Sequence, residues 1–253
     1  MISGPAGLIA IGLIVGAIGT LIGSGGGFLL VPTLLLLDTH IPPQVAAGIS
    51  LAVVFFNATS GSIAYSRMGR VDFRAGTVFA IAAMPGAILG AYTTAYIPRR
   101  AFDAIFGFLL IAAATYLFST SGEKKDSLES GKYNLWLGVA ISAGVGFLSS
   151  LLGIGGGIIH VPALTQALNF SVHTATATSH FVLSITALVA TLVRLKTGSL
   201  NGQLPTIAWL SVGAIAGAQG GAKLSSKVRG SWILRGLAIG LGLIGVRILL
   251  PLF

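Results

Sequence analysis

Gly23-Ser24-Gly25-Gly26-Gly27, followed at once by Phe28-Leu29-Leu30-Val31-Pro32, interrupts the first long apolar segment of this chain, and its reading decides the fold. The same device recurs as Gly153-Ile154-Gly155-Gly156-Gly157, followed by Ile158-Ile159-His160-Val161-Pro162. Glycine costs a helix about 1 kcal/mol per residue relative to alanine, and it permits positive φ and close backbone approach. Clusters this dense end a helix rather than bend it. In lipid, broken backbone survives only where protein covers it or where it lines a wet cavity. Two matched breaks therefore point to a site built from the breaks themselves.

The surroundings say which solvent the chain faces. Of 253 residues 54% are apolar and only 8% charged, with a mean hydropathy of +0.93. A soluble domain carries roughly a quarter charged residues, so this chain cannot clothe a water-facing surface. It reads as an all-α, polytopic membrane protein whose first partner is the lipid bilayer. The absence of cysteine excludes disulfides, thiolate chemistry and Cys-ligated metals. The net charge of +9 does not imply nucleic acid, because the basic residues sit between apolar runs: Arg67, Arg70 and Arg74; Arg99 and Arg100; Lys124, Lys125 and Lys132; Lys223, Lys227 and Arg229. That is the loop distribution of a membrane protein. No basic segment precedes Leu8–Ile22, so a cleaved signal peptide is not expected.

Apolar runs fall at 6–22, 27–37, 44–66, 75–96 and 101–118, then at 135–152, 157–168, 172–193, 204–222 and 231–252. The polar stretch between them, with Glu123, Lys124, Lys125, Asp126, Glu129 and Lys132, divides the chain into a first membrane repeat (1–118), a linker (119–134) and a second membrane repeat (135–253). Beyond the glycine segments, Ala47-Gly48-Ile49-Ser50 matches Thr176-Ala177-Thr178-Ser179, Asn57 falls opposite Thr186, and Arg67-Met68-Gly69 matches Lys196-Thr197-Gly198. Gly86-Ala87-Ile88-Leu89-Gly90-Ala91 matches Gly213-Ala214-Ile215-Ala216-Gly217-Ala218. Duplication is the reading.

Length and charge give the expected topology. Residues 8–37 would make a helix of about 45 Å, too long for a core of about 30 Å, and split at the glycines each piece is short for a crossing. Each half then becomes a re-entrant helical hairpin plus three transmembrane helices. That is an odd number of crossings, so the two repeats are inverted and both termini lie outside. Loops 67–74, 119–134 and 223–230 share the cytoplasmic side and carry nine Lys/Arg, against four (Arg99, Arg100, Arg194, Lys196) in loops 97–103 and 194–203. Single crossings in place of the hairpins would divide the same cations eight to five, a weaker positive-inside bias. The glycine break sitting in a discontinuous span is the alternative. Gly12/Gly16, Gly86/Gly90, Gly213/Gly217/Gly221 and Gly236/Gly240 have the spacing for close helix packing, within the chain or at a homodimer seam. Trp136, Trp209 and Trp232 lie near run ends, as interfacial aromatics do.

No carboxylate lies inside an apolar run: Asp38, Asp72 and Asp103 are all at ends. Carboxylate-based cation coupling is thereby disfavoured. What remains is donor-rich and neutral. Helices starting at Gly27 and Gly157 would aim free N–H groups and positive dipole ends into the breaks. Gly25, Gly26, Gly27, Gly155, Gly156 and Gly157 would present those donors, with Ser24, Ser50, Asn57, Ser179 and His180 as side-chain ligands. Such a site takes a small anionic substrate, and the physical expectation is an anion transporter. His160 and His180 are the candidate proton carriers. His173 and His180 are seven apart without an acidic neighbour, so no metal or cofactor is expected. An intramembrane hydrolase using Ser24 and His180 is the alternative from another class.

The paired glycine–Val-Pro segments, the Ala/Ser/Thr-rich span after each and the polar central stretch resemble the sulfite exporter TauE/SafE family of membrane proteins over essentially the whole chain. The resemblance implies export of a small sulfur-containing anion, such as sulfite or an organosulfonate, across the cytoplasmic membrane, and no enzymatic activity. Proton-coupled uptake of another small solute is the rival transport reading. Two positions break the match between halves, Ser24 against Ile154 and Leu30 against His160, so the two hairpins are expected to contribute unequally.

Overall fold

The computed structural model describes residues 4–38, 40–120, 134–228 and 230–250, and these contain ten α-helices and no strand. In the first half they are α1 (Pro5–Ile22), α2 (Gly27–Leu37), α3 (Pro43–Arg67), α4 (Phe73–Thr93, extended by a 3-10 turn at Thr94–Tyr96) and α5 (Arg99–Thr120). In the second they are α6 (Leu135–Leu152), α7 (Gly157–Gln166), α8 (Val172–Lys196), α9 (Leu204–Ser225) and α10 (Gly230–Leu249). Linker residues 121–133, with Lys124, Lys125 and Lys132, lie outside the described residues, as do Arg229 and the side chain of Trp232.

Among the described residues, five helices, α1, α3, α4 with its 3-10 turn, α6 and α8, are long and apolar enough to cross a membrane. The sequence expectation that both arms of each break are short holds for α2 and α7 only. With 18 residues each, α1 and α6 are about 27 Å long, close to the hydrocarbon thickness. α2, with 11 residues, spans about 16 Å.

The ends of the elements follow from local chemistry. α1 stops at Gly23, whose φ of 87° lets its N–H fold back onto the Gly19 and Thr20 carbonyls. α6 stops the same way at Gly153, φ 72°. Pro43 and Pro5 stand in the first turn of their helices, where a missing N–H costs nothing. Asp72, Asn134 and Ser171 cap α4, α6 and α8 through their side chains.

Glycine stripes fix the packing and the relative direction of helices. Gly12 of α1 faces Leu210 and Gly16 faces Ala214, so α1 and α9 run the same way. Gly86 of α4 faces Ala143 and Gly90 faces Phe147, so α4 and α6 do too. α3 and α8 are opposed, with Gly48 at Arg194 and Gly61 at His180, and so are α5 and α10, with Gly107 at Leu249 and Gly242 at Ala114. α3 runs with α9, since Ser60 donates to the Ile215 carbonyl and Arg70 to Ser225. α4 runs with α8, Asp72 lying at Thr178 and Gly76 at Phe181. Exchanging the halves maps this packing onto itself: α1 on α9 becomes α6 on α4.

The contacts also correct one internal match. A side chain on Gly86 would strike Ala143, and one on Gly217 would strike Leu13; on Gly90 and Gly221 it would strike Phe147 and Ala17. Gly86 is thus equivalent to Gly217, one helical turn beyond Gly213, because glycines repeating every fourth residue align equally well in either register. Between lipid-solvated helices the attraction comes from such close packing rather than from burial. Gly217→Ala, whose Cβ has only Leu13 and Ala17 backbone to meet, should lower unfolding stability in detergent by about 1–3 kcal/mol. Gly220→Ala, with nothing within 4 Å, should leave stability unchanged or raise it by up to about 1 kcal/mol. Equal melting of the two variants would contradict the seam.

Candidate functional site

α3 and α8 cross at the centre of the bundle, and both glycine turns meet there. Val54 and Leu183, each the twelfth of 25 residues in its helix, close over the turns as a pair. A Cβ on Gly25 would lie 2.8 Å from Leu183 Cδ2 and 3.0 Å from Val54 Cγ1; on Gly155 the two distances exchange. Between the turns the contact is backbone on backbone. A Cβ on Gly27 would lie 2.6 Å from the Gly153 carbonyl oxygen, and one on Gly157 would overlap the Gly23 carbonyl and lie 2.5 Å from Ser24 Cα. Gly25, Gly26, Gly155 and Gly156 all have positive φ, which is why glycine occupies them.

Each turn is held by the long helix of the other half. Ser50 donates to the Gly153 carbonyl at 2.6 Å, and Ser179 to the Gly23 carbonyl at 3.3 Å. Both serines therefore spend their proton on the carbonyl that ends a helix. Ser24, fully buried, has no hydrogen-bond partner for its hydroxyl. Gly156 gives its N–H to Ser149 at 2.6 Å.

Asn57 and His180 belong to one relay. Asn57 Nδ2 donates to the Gly25 carbonyl at 3.0 Å, which orients the amide so that Oδ1 faces Thr20. Thr20 donates to that oxygen at 3.2 Å, leaving its lone pairs for His180 Nε2 at 3.2 Å. The proton of His180 thus sits on Nε2. Tyr65 closes the relay, its ring edge-on to His180 and its hydroxyl on the Thr20 carbonyl at 2.7 Å. His180 is engaged by Thr20, not by Ser24, so those two form no nucleophile–base pair.

His160 stands elsewhere, beneath the second turn. Its Nε2 lies 3.1 Å from the Ser142 hydroxyl, and Phe79 stacks edge-on against its ring. Ser142, Ser149, Gly156, His160 and Thr186 contribute to the lining of a cavity of about 10 Å³, room for one water-sized group.

The residue that sequence reasoning misplaced is Arg194. It reads as a loop cation beside Lys196, yet it lies within α8 and is 1% exposed. Its guanidinium donates to the carbonyls of Gln44 at 2.8 Å and Ser150 at 2.7 Å and to the Thr94 hydroxyl at 3.0 Å. Thr94 in turn holds the Leu151 carbonyl. Those of Ser150 and Leu151 are last-turn carbonyls of α6, which a cation satisfies well. In the first half Tyr65 does the same job for Thr20 with a neutral hydroxyl. The site therefore has a fixed positive charge close to the second turn, which the sequence reading did not include. Thr20, Tyr65, Thr94, Ser142 and Ser149 were also missed; the i, i+7 spacing of the two serines, one face of α6, was the available signal.

Comparison with known proteins agrees with this architecture. The family described as "Sulfite exporter TauE/SafE" matches residues 8–248. "Probable membrane transporter protein YunE" of Bacillus subtilis is 32% identical over 96% of both chains. "Probable membrane transporter protein MJ0441" of Methanocaldococcus jannaschii is 31% identical over 81% of this chain and 77% of its own. "Sulfite exporter TauE/SafE family protein 5" of Arabidopsis thaliana is 35% identical over 32% of this chain and 18% of its own. No solved structure matches. A match across nearly the whole length, to a fold of apolar helices meeting at two glycine turns, makes this chain a multi-pass member of the sulfite exporter TauE/SafE family of membrane transporters.

Proposed function

We propose that the protein exports a small sulfur-containing oxyanion, such as sulfite or an organosulfonate, across the cytoplasmic membrane by alternating access. The observation that carries the reading is the direct contact of the two glycine turns at the middle of α3 and α8. Donor-rich, uncharged helix starts meeting at mid-depth suit an anion. As they stand, the turns touch each other and the Val54–Leu183 pair packs against both, so on this reading transport requires the turns to part. Ser50 and Ser179, released from the Gly153 and Gly23 carbonyls, then become donors for the anion together with Ser24 and the N–H groups of Gly26, Gly27 and Gly155. The N–H groups of Gly25, Gly156 and Gly157 are held within their own halves by the Gly19 carbonyl, Ser149 and the Gly155 carbonyl. Parting the turns also frees Asn57 and His180.

The same reading takes the halves, 1–118 and 135–253, as inverted repeats with re-entrant hairpins. It is supported by the helix directions, since α6, α8, α9 and α10 each run opposite to α1, α3, α4 and α5. Loops 67–74, 119–134 and 223–230 are then cytoplasmic and both termini outside. With Arg194 removed from the loop count, nine cations face three (Arg99, Arg100, Lys196).

An inside-negative potential favours anion exit by about 2.3 kcal/mol per charge per 100 mV, so no coupling ion is needed. In vesicles reconstituted with the purified protein, a monovalent oxyanion should redistribute roughly fiftyfold per 100 mV of imposed potential. Sulfite, sulfate, thiosulfate and sulfoacetate are the substrates to test. Movement of none of them would overturn the assignment. Movement insensitive to voltage but driven by a pH gradient would favour proton coupling through His160 or His180.

A further inference from the structure

We propose that the anion is bound asymmetrically, in a subsite beneath the second glycine turn formed by Ser142, Ser149 and His160, with Arg194 as its fixed counter-charge. The proposal rests on the anion-transport reading above and assigns the donors within it.

The two halves share a backbone plan but not a chemistry at this position. Gly16 and Gly146 occupy equivalent places, each pressed against the backbone of an alanine, Ala214 and Ala83. Counting along the helices from them, Ser142 corresponds to Gly12, Ser149 to Gly19 and His160 to Leu30. In the first half Gly19 lets α1 sit directly on the backbone of Gly26. In the second, the Ser149 side chain stands between α6 and Gly156 and accepts its N–H. That spacing accompanies the cavity, which Ser149 and Gly156 both line.

Ser142, Ser149, His160 and Thr186 share the lining with the apolar Ala83, Val145, Val182 and Leu183, so the polar groups are few and each counts. Ser149 accepts from Gly156 and keeps its own proton to donate. Ser142 meets His160 Nε2. His160 Nδ1, on a side chain 2% exposed, has no hydrogen-bond partner, and a buried ring nitrogen left unpaired is costly. A core histidine retained only for packing would be satisfied or replaced by leucine, as at Leu30. The present size admits one oxygen atom of an oxyanion, and Gly156 in the wall ties its widening to the parting of the turns.

Arg194 lies one residue further along α6, on the Ser150 carbonyl. No carboxylate pairs with it among the described residues, its three acceptors being neutral, and its Nε is unpartnered. Desolvated charge without a counter-ion is unfavourable, and a bound anion supplies the counter-ion. For any two opposite unit charges about 10 Å apart at an effective dielectric constant of about 20, such an attraction amounts to roughly tenfold in affinity or slightly more.

The test uses the full chain and measures sulfite binding and efflux beside thermal unfolding. Ser142→Ala with Ser149→Ala removes two donors and should weaken sulfite roughly tenfold or more. Because it also orphans the Gly156 N–H and His160 Nε2, it should melt at a lower temperature than wild type but still in one cooperative transition. Arg194→Tyr copies the first half and keeps a hydroxyl for Ser150, so it should fold yet bind sulfite roughly tenfold more weakly. If Arg194→Tyr fails to fold, the serine pair decides alone. Wild-type affinity in a folded serine-pair variant overturns the subsite, and wild-type affinity in folded Arg194→Tyr overturns the counter-charge. Wild-type protein that moves none of the four oxyanions overturns instead the reading on which both rest.

Discussion

Gly157→Ala is expected to reduce flux to background and to lower the thermal unfolding temperature markedly. Its Cβ would overlap the Gly23 carbonyl oxygen and press on Ser24 Cα. Both neighbours are backbone, held by the Gly19 carbonyl through the N–H groups of Gly23 and Ser24 and by Ser179 on the Gly23 carbonyl. Nothing flexible can yield, so the two turns must separate. Overpacking of this kind costs about 1–3 kcal/mol where side chains can give, and backbone contact belongs at or above the top of that range. Gly27→Ala, 2.6 Å from the Gly153 carbonyl, should act in the same direction. The double variant should cost less than the sum, because both changes open one seam. Gly144→Ala, with nothing within 4 Å, is the matched control and should melt and transport like wild type. Unimpaired flux and melting in Gly157→Ala would contradict contact between the turns.

The second large effect belongs to Asn57. Asn57→Ala orphans the Gly25 carbonyl and takes the acceptor from Thr20, both buried. Each orphaned group costs about 1–3 kcal/mol, giving about 2–6 kcal/mol in all. Asn57→Asp should be worse than Asn57→Ala, although aspartate is closer in shape. It would keep the acceptor for Thr20 but set a second negative oxygen against the Gly25 carbonyl, as a buried charge with no cation. Asn57→Thr, which copies Thr186 of the other half, should be milder than either. Thermal unfolding of the three variants checks the order Thr, Ala, Asp from least to most damaging. An aspartate variant as stable as wild type would refute the relay geometry.

Much of the fold is legible because lipid imposes simple rules. Apolar runs at 44–66 and 172–193 become α3 (Pro43–Arg67) and α8 (Val172–Lys196), and the glycine clusters end α1 and α6 where glycine must. The extra turn at the end of α8 is what hides Arg194. A cation four residues before a glycine and two from a lysine has the pattern of a loop, and only the packing of Gln44, Thr94 and Ser150 around it says otherwise. The register of α4 against α9 escapes for the opposite reason, an excess of signal. Within the site, Asn57 and His180 draw attention as buried polar groups needing partners. Their partner Thr20 lies at the end of α1 and carries no mark in a sequence rich in hydroxyls. Ser50 and Ser179 stand out by position, but that each reaches across to the opposite turn depends on α3 crossing α8.

That crossing of loyalties between the two halves reaches beyond transport. α1 finds its main neighbour in α9, and α6 in α4, so neither 1–118 nor 135–253 encloses a complete core. On the inverted-repeat reading proposed above, a polypeptide of half this length would attain the same packing only by meeting a second copy inserted the other way up in the bilayer. On that reading, joining the halves in one chain lets them differ, with Leu30 and Tyr65 in one against His160 and Arg194 in the other.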